Sequence, residues 1–303
     1  MYVARSTRMS FLVPWVTLIV VAACGDSGPP TGPPDPDPVL ASRLLFETDR
    51  DGNVEIYVMR RDGSNPRRLT SEPSFDEFPT FAPDGRLIAF DSERSGDFEI
   101  YTMRPDGEEL RNLSRNGATD VLPTWSPDGT RIAFTSARDG DFEIYIMNAD
   151  GSGLQRLTNN PAADRKPDWS PDGTRIAFES DRDGDFDIFV MRSDGTGQLN
   201  LTRDAGLDVS PSWAPDSRKL AYASNRTGNF EIWVLDLDTR LHTNVTATLA
   251  RDTDPAWSPD GAKIAFTSAR DANFEVYAMS PDGSEIENLT NSPAADKRPA
   301  WGR

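Results

Sequence analysis

"PTWSPDGTRIAFTSARDGDFEIYIMNADGSGLQRLT" occupies Pro123 to Thr158, and "PDWSPDGTRIAFESDRDGDFDIFVMRSDGTGQLNLT" follows 44 residues later, Pro167 to Thr202. A Pro with an aromatic residue two places on recurs at Pro79, Pro123, Pro167, Pro211, Pro255 and Pro299, always at intervals of 44. The aromatic residue in a short apolar run keeps the same period at Phe46, Phe90, Phe134, Phe178, Tyr222 and Phe266. Six such copies, counted back from Arg303, reach Leu40. The folded part is expected to span 40–303 as six repeats and nothing else.

Each copy reads as four short strands. The first passes through Pro-x-Trp-Ser to a Pro-Asp-Gly turn (Pro127, Asp128, Gly129), and the second is Arg131–Ser136, closed at Asp139-Gly140. The third is Phe142–Met147, followed by Asp150-Gly151, and the fourth is Gln155–Thr158. Asp-Gly between β-rich runs is a strong hairpin signal. Four antiparallel strands at this period indicate a propeller blade. The chain enters its first unit at the second strand (Leu44-Leu45-Phe46) and ends just after a first strand (Arg298–Gly302). The expected fold is therefore all-β: a six-bladed β-propeller of four-stranded antiparallel blades. Pairing of the C-terminal strand with the three N-terminal strands closes it and leaves no open sheet edge.

Residues ahead of the ring are of a different kind. Arg5 and Arg8 precede the apolar run Phe11–Val21, which has the layout of a secretory signal and is short for a membrane span. Val21-Ala22-Ala23-Cys24 resembles a lipobox, and Cys24 is the only Cys, so no intramolecular disulfide can form. The reading is a lipoprotein signal peptide at 1–23 with lipid attachment at Cys24; an ordinary signal with a chance Cys is the alternative. Gly25–Pro38 is rich in Pro and Gly, which makes 24–39 an extended tether. Gly25 and Asp26 after the Cys favour the outer membrane by analogy with lipoprotein sorting. The formal net charge of −17 argues against nucleic acid and anionic lipid surfaces as partners.

Pro-x-Trp-Ser-Pro-Asp-Gly, Ile-Ala-Phe, Glu-Ile-Tyr-x-Met and Leu-Thr, repeated in register over Leu40–Arg303, resemble the Pro-Asp repeat of the TolB-type β-propeller family. The resemblance implies a six-bladed propeller. It also implies a role in binding partner proteins of the bacterial cell envelope, the peptidoglycan-associated lipoprotein among them. This sequence departs from the family pattern in two places. A leader and tether stand where the family has an α/β domain, and a lipobox stands where the family has an ordinary cleaved signal.

Comparing the six copies shows three positions that keep their chemistry. One is Asp76, Asp120, Asp164, Asp208, Asp252 and Asp296; the second is Arg50, Arg94, Arg138, Arg182, Arg226 and Arg270. The third is Glu55, Glu99, Glu143, Asp187, Glu231 and Glu275. In an up-and-down blade all three lie at one end. Two readings follow, and they are compatible. In one, each Arg fork clamps both acids. In the other, the Asp ring carries excess negative charge at the channel mouth and attracts a basic partner.

Trp125, Trp169, Trp213, Trp257 and Trp301, with Phe81 in the sixth place, read as inter-blade core ahead of a sugar-stacking platform. Asp181-x-Asp183-Gly184-Asp185-x-Asp187 and Asp49-x-Asp51-Gly52-Asn53-x-Glu55 approach calcium-loop spacing. Their Gly falls one place early, and the matching turn of another copy holds Glu93, Ser95 and Asp97, so tight turns are expected and no cofactor, with calcium as the alternative. The single His, His242, is expected on or near an outermost strand, and no Ser-His-Asp or His/Cys metal set is visible. The expected function is a non-enzymatic protein-binding scaffold, monomeric, exported and lipid-anchored in the envelope. The alternatives are a propeller-based hydrolase or lyase on carbohydrate or peptide, and a small-ligand receptor.

Overall fold

The computed structural model describes residues 43–203 and 206–302. The readings of the signal, Cys24 and the tether lie outside the described residues. Among the described residues all regular structure is strand, in six sheets of four strands. Five blades are continuous in sequence: blade 1 (76–112), blade 2 (120–156), blade 3 (164–200), blade 4 (208–244) and blade 5 (252–288). Blade 6 joins Asp296–Trp301 to Arg43–Thr48, Glu55–Arg60 and Arg67–Arg68. Leu44 pairs with Trp301 and Thr48 with Asp296, so the chain ends close the ring as the repeat phase requires.

Two boundaries differ from the sequence reading. First strands begin three residues before the Pro, at the recurrent Asp (Asp120–Trp125 for instance). Fourth strands shrink to two residues in most blades, such as Gln155–Arg156. A short outer strand offers little edge for another chain to pair with.

Burial follows from strands packed on both faces. Phe46, Phe90, Phe134, Phe178, Tyr222 and Phe266 have no exposed surface. Alternate residues of one strand point to opposite seams: Leu44 and Phe46 pack against blade 5, Leu45 against blade 1. The apolar core is divided into six clusters, one at each seam. The ring centre is therefore left for other chemistry.

Every first strand carries the same irregularity. In blade 2 the pairing with the second strand slips between Val121 and Thr124. Pro123 has no N–H to offer the ladder, so the strand bulges at the residue before it. That residue takes a positive φ in all six blades: Phe78 (49°), Leu122 (61°), Lys166 (52°), Ser210 (59°), Asp254 (52°) and Arg298 (52°).

Candidate functional site

The recurrent Arg and Asp meet inside each blade. Arg94 Nη2 donates to both carboxylate oxygens of Asp76 at 2.8 and 2.7 Å, and its Nε donates to Ser92 Oγ at 2.8 Å. The same pair forms as Arg138–Asp120, Arg182–Asp164, Arg226–Asp208, Arg270–Asp252 and Arg50–Asp296. Each guanidinium also lies over the aromatic residues of strands two and three; Arg182 is 5.5 Å from the Phe178 ring and 4.6 Å from Phe189.

The third recurrent acid goes elsewhere. Glu143 accepts from Arg156 at 2.6 Å and from the Asn160 N–H at 2.8 Å. Glu55 accepts from Thr70 Oγ1 at 2.6 Å, while that oxygen accepts the Ile56 N–H at 2.9 Å. Asp187 receives Asn200 and Thr202, Glu99 receives Ser114, Glu231 receives Asn244, and Glu275 receives Thr290. These acids moor the fourth strand and the residues that follow it, through the Thr of the Leu-Thr motif at Thr70, Thr202 and Thr290, and are not the second arm of an Arg clamp. The Asp ring differs from the charged mouth expected of it as well. All six are at most 1 % exposed, because the first residue of the strand points under its own Arg rather than into the channel.

What faces the channel is the bulge. Phe78, Leu122, Lys166, Ser210, Asp254 and Arg298 line a cavity of about 160 Å³ together with the following prolines. A second cavity, about 340 Å³, lies at the Trp end; the two share a waist of Thr80, Thr124, Asp168, Ser212, Ala256 and Ala300. The bulge position does not stand out among the six copies because no residue type recurs there. The available signal was that very variety, placed beside an invariant Pro.

Bulge residues are held by the preceding blade. Leu122 N–H donates to Asp91 Oδ2 at 2.8 Å, Lys166 N–H to Thr135 Oγ1 at 3.0 Å, and Ser210 N–H to Glu179 Oε2 at 3.0 Å. Arg298 N–H donates to Thr267 Oγ1 at 2.9 Å. Ion pairs then cross the mouth. Arg298 Nη1 contacts Glu47 at 2.7 Å and Glu77 at 3.2 Å, with its guanidinium 3.7 Å from the Phe78 ring centre. Lys166 Nζ donates to Ser210 Oγ at 2.7 Å and to Asp254.

Electrostatics here are unlike an open surface. Burial pushes the Glu47 carboxyl up to about 7 against the pull of Arg298. Burial also raises Asp91 well above the usual carboxylate range, and raises Glu179. Burial acts on Asp254 in the same direction, but Lys166 and Arg298 outweigh it and hold that carboxyl well below the usual range.

The remaining readings are placed as follows. Trp125, Trp169 and Trp213 are 3–5 % exposed, sit in the seams, and turn only a margin to the channel. In the calcium-like turns, Asp181 accepts the Ala163 N–H, Asp183 the Asn200 amide and Asp185 the Gly206 N–H. Among the described residues no three metal-binding side chains converge. His242 lies on the outer strand of blade 4, its Nδ1 2.8 Å from the Tyr222 hydroxyl.

Fold and channel together define a closed six-bladed propeller of the Pro-Asp repeat class. The family description "TolB beta propeller domain" matches residues 19–122, 117–204 and 196–303, and the chain belongs to that family. A 68-residue stretch is 37 % identical to the Tol-Pal system protein TolB of Geobacter sulfurreducens, covering 22 % of this chain and 13 % of that protein. The match therefore spans only about an eighth of that relative's length. TolB from Acinetobacter baumannii superposes with a TM-score of 0.76 at 23 % identity, over 87 % of this chain and 67 % of that one, which shows the fold. A putative TolB from Agrobacterium tumefaciens gives a TM-score of 0.68 at 25 % identity, over 84 % of this chain and 98 % of that one.

Proposed function

We propose that this propeller is a protein-binding scaffold of the bacterial cell envelope that engages its partner at the channel mouth. One observation carries the reading. The ring repeats every element that holds it together, yet the six bulge side chains aimed at the channel are all different. A contact surface must be asymmetric to select one partner in one orientation, and bulges are a means of re-aiming side chains.

Membership of the TolB family supports an envelope partner. The net charge of −17 supports one with a basic surface. A signal at 1–23, acylation at Cys24 and a tether at 24–39 would present the ring outside the cytoplasm, held at a membrane, the outer one by the Gly25–Asp26 sequence.

A hydrolase or lyase on the same ring would need a nucleophile, an acid–base pair or a metal at the channel. Among the residues lining the mouth, Lys166, Asp254 and Arg298 are engaged in ion pairs with one another or with Glu47 and Glu77. The scaffold reading is preferred on that account.

The test is affinity capture from an envelope extract with the wild-type chain and with Leu122→Asn, which alters a mouth side chain and adds no charge beside its ion pairs. A protein retained by the wild type at low salt and lost by the variant is the expected result. Equal retention by both chains would overturn the reading.

A further inference from the structure

Asn116 and Asn160 occupy the same place in successive copies, four residues before the clamp acids Asp120 and Asp164. Their contacts match one for one. The backbone N–H donates to the third recurrent acid, Asn116 to Glu99 at 2.6 Å and Asn160 to Glu143 at 2.8 Å. The side-chain carbonyl accepts the N–H two residues on, that of Ala118 or Ala162, in both cases at 2.9 Å. The side-chain amide donates to the clamp acid, Asn116 to Asp120 and Asn160 to Asp164.

The next residue separates the two. Pro161 follows Asn160 and has no N–H, whereas Gly117 follows Asn116, and no other Asn of the chain precedes a Gly. The turn folds the Asn116 side chain back over the peptide bond to Gly117. Its hydrogen bond from Ala118 closes a ring of atoms that contains both Asn116 Cγ and the Gly117 nitrogen. Gly117 is exposed and carries no side chain to shield that nitrogen, and a Cβ added to it would meet nothing within 4 Å. Water reaches the same place.

Blade 2 also holds its clamp less fully than blade 3. Arg182 reaches both oxygens of Asp164, at 2.9 and 2.7 Å, while Arg138 reaches Asp120 Oδ2 at 2.7 Å. Asp120 Oδ1 is buried with no hydrogen-bond partner, so Oδ2 serves both Arg138 and the Asn116 amide. A change at Asn116 is therefore felt directly by the clamp.

We propose that Asn116–Gly117 is a site of spontaneous covalent conversion that loosens the first strand of blade 2, the strand that carries Leu122 to the mouth. The Gly117 nitrogen attacks Asn116 Cγ. The N–Cγ bond forms, the Cγ–Nδ2 bond breaks, and ammonia leaves with the Gly117 N–H proton. Water then opens the cyclic imide and returns a proton to its nitrogen, giving aspartate when it adds at Cγ and isoaspartate when it adds at the backbone carbonyl. Either product lacks the amide donor and adds a carboxylate close to Asp120 and Glu99. The hydrogen bond to Asp120 is lost, and like charges meet where burial already disfavours them. This conversion stands independently of the partner reading.

The experiment incubates the full chain in mildly alkaline buffer and maps its peptides by mass spectrometry. Loss of unmodified Asn116 with both products appearing, while Asn160 stays intact, is the expected result. Gly117→Pro, which copies the blade 3 sequence, should abolish the conversion and leave the fold unchanged. Asn116→Asp, which imitates one product, should quicken amide exchange across 120–125 about tenfold or more relative to 164–169 of the same chain. An Asn116 that outlasts other asparagines, equal conversion in Gly117→Pro, or unchanged exchange in Asn116→Asp would overturn the proposal.

Discussion

Arg50 and Asp296 are 246 residues apart in sequence, yet Arg50 Nη2 lies 2.9 Å from both carboxylate oxygens of Asp296. The same clamp that holds a hairpin inside every other blade here joins the two ends of the ring. Asp296 is fully buried and Arg50 is 24 % exposed, so removing the cation strands a carboxylate away from water.

Arg50→Ala should therefore cost roughly 3 kcal/mol. Arg138→Ala, which breaks the equivalent clamp within blade 2, should cost a similar amount. Only Arg50→Ala should release the closing strand, seen as faster amide exchange over 296–301. Slow exchange there in both variants would show that the terminal clamp does not secure the closure.

Blade packing is tested by two glycines with similar backbone. Gly52 has φ of +100° and open space where a side-chain methyl would stand, while a Cβ on Gly283 (φ +85°) would meet the Val245 carbonyl oxygen at 2.1 Å. Gly52→Ala should cost about 1–2 kcal/mol from its backbone alone. Gly283→Ala should cost about 1–3 kcal/mol beyond that, because the blade 4–5 seam must open. Denaturant midpoints of the two variants give the comparison, and equal midpoints would refute the close approach.

Glu47 predicts a pH dependence. Its folded pKa of about 7 lies above the ordinary value of 4.5, so between those values the native state holds the proton more tightly than the unfolded chain. Stability from this group is fully present below the unfolded pKa and is lost as pH rises towards 7 and through it. Glu47→Gln should remove that loss, so its stability relative to wild type should rise between about pH 4.5 and 7. The slope of the difference is the readout, since Gln also weakens the contact to Arg298. A difference independent of pH would contradict the burial of a titrating carboxyl.

Thr158 tests the mooring of the outer strand. Its Oγ1 accepts the Ile144 N–H at 2.8 Å in a buried setting. Thr158→Val keeps the shape and removes the acceptor, at a cost of roughly 1–3 kcal/mol. Exchange should quicken at Gln155–Leu157 before the rest of blade 2. Uniform exchange across the blade would argue against a local mooring role.

The blades were legible in the sequence because their makers are local and repeated: Asp-Gly turns, the Ile-Ala-Phe strand, and the phase of the two chain ends. Membership of Arg and Asp in one cluster was legible for the same reason. The partner of Glu143 was not, since topology brings it near both Arg138 and the fourth strand and only side-chain reach decides. The bulge was hidden because strict alternation would turn the residue before Pro away from the channel, and Pro's missing N–H changes that register. Comparing copies also selects what is common to them, whereas Phe78, Leu122, Lys166, Ser210, Asp254 and Arg298 matter through their differences.

The central claim is that the partner meets the bulge ring, and site-specific photo-crosslinking tests it most directly. A photoreactive residue would replace Leu122 at the mouth in one chain and Leu249, fully exposed on a connecting loop, in another. The account predicts a discrete adduct with an envelope protein from position 122 and none from position 249. An adduct from 249 alone, or from neither position in an extract where the chain demonstrably captures a partner, would contradict it.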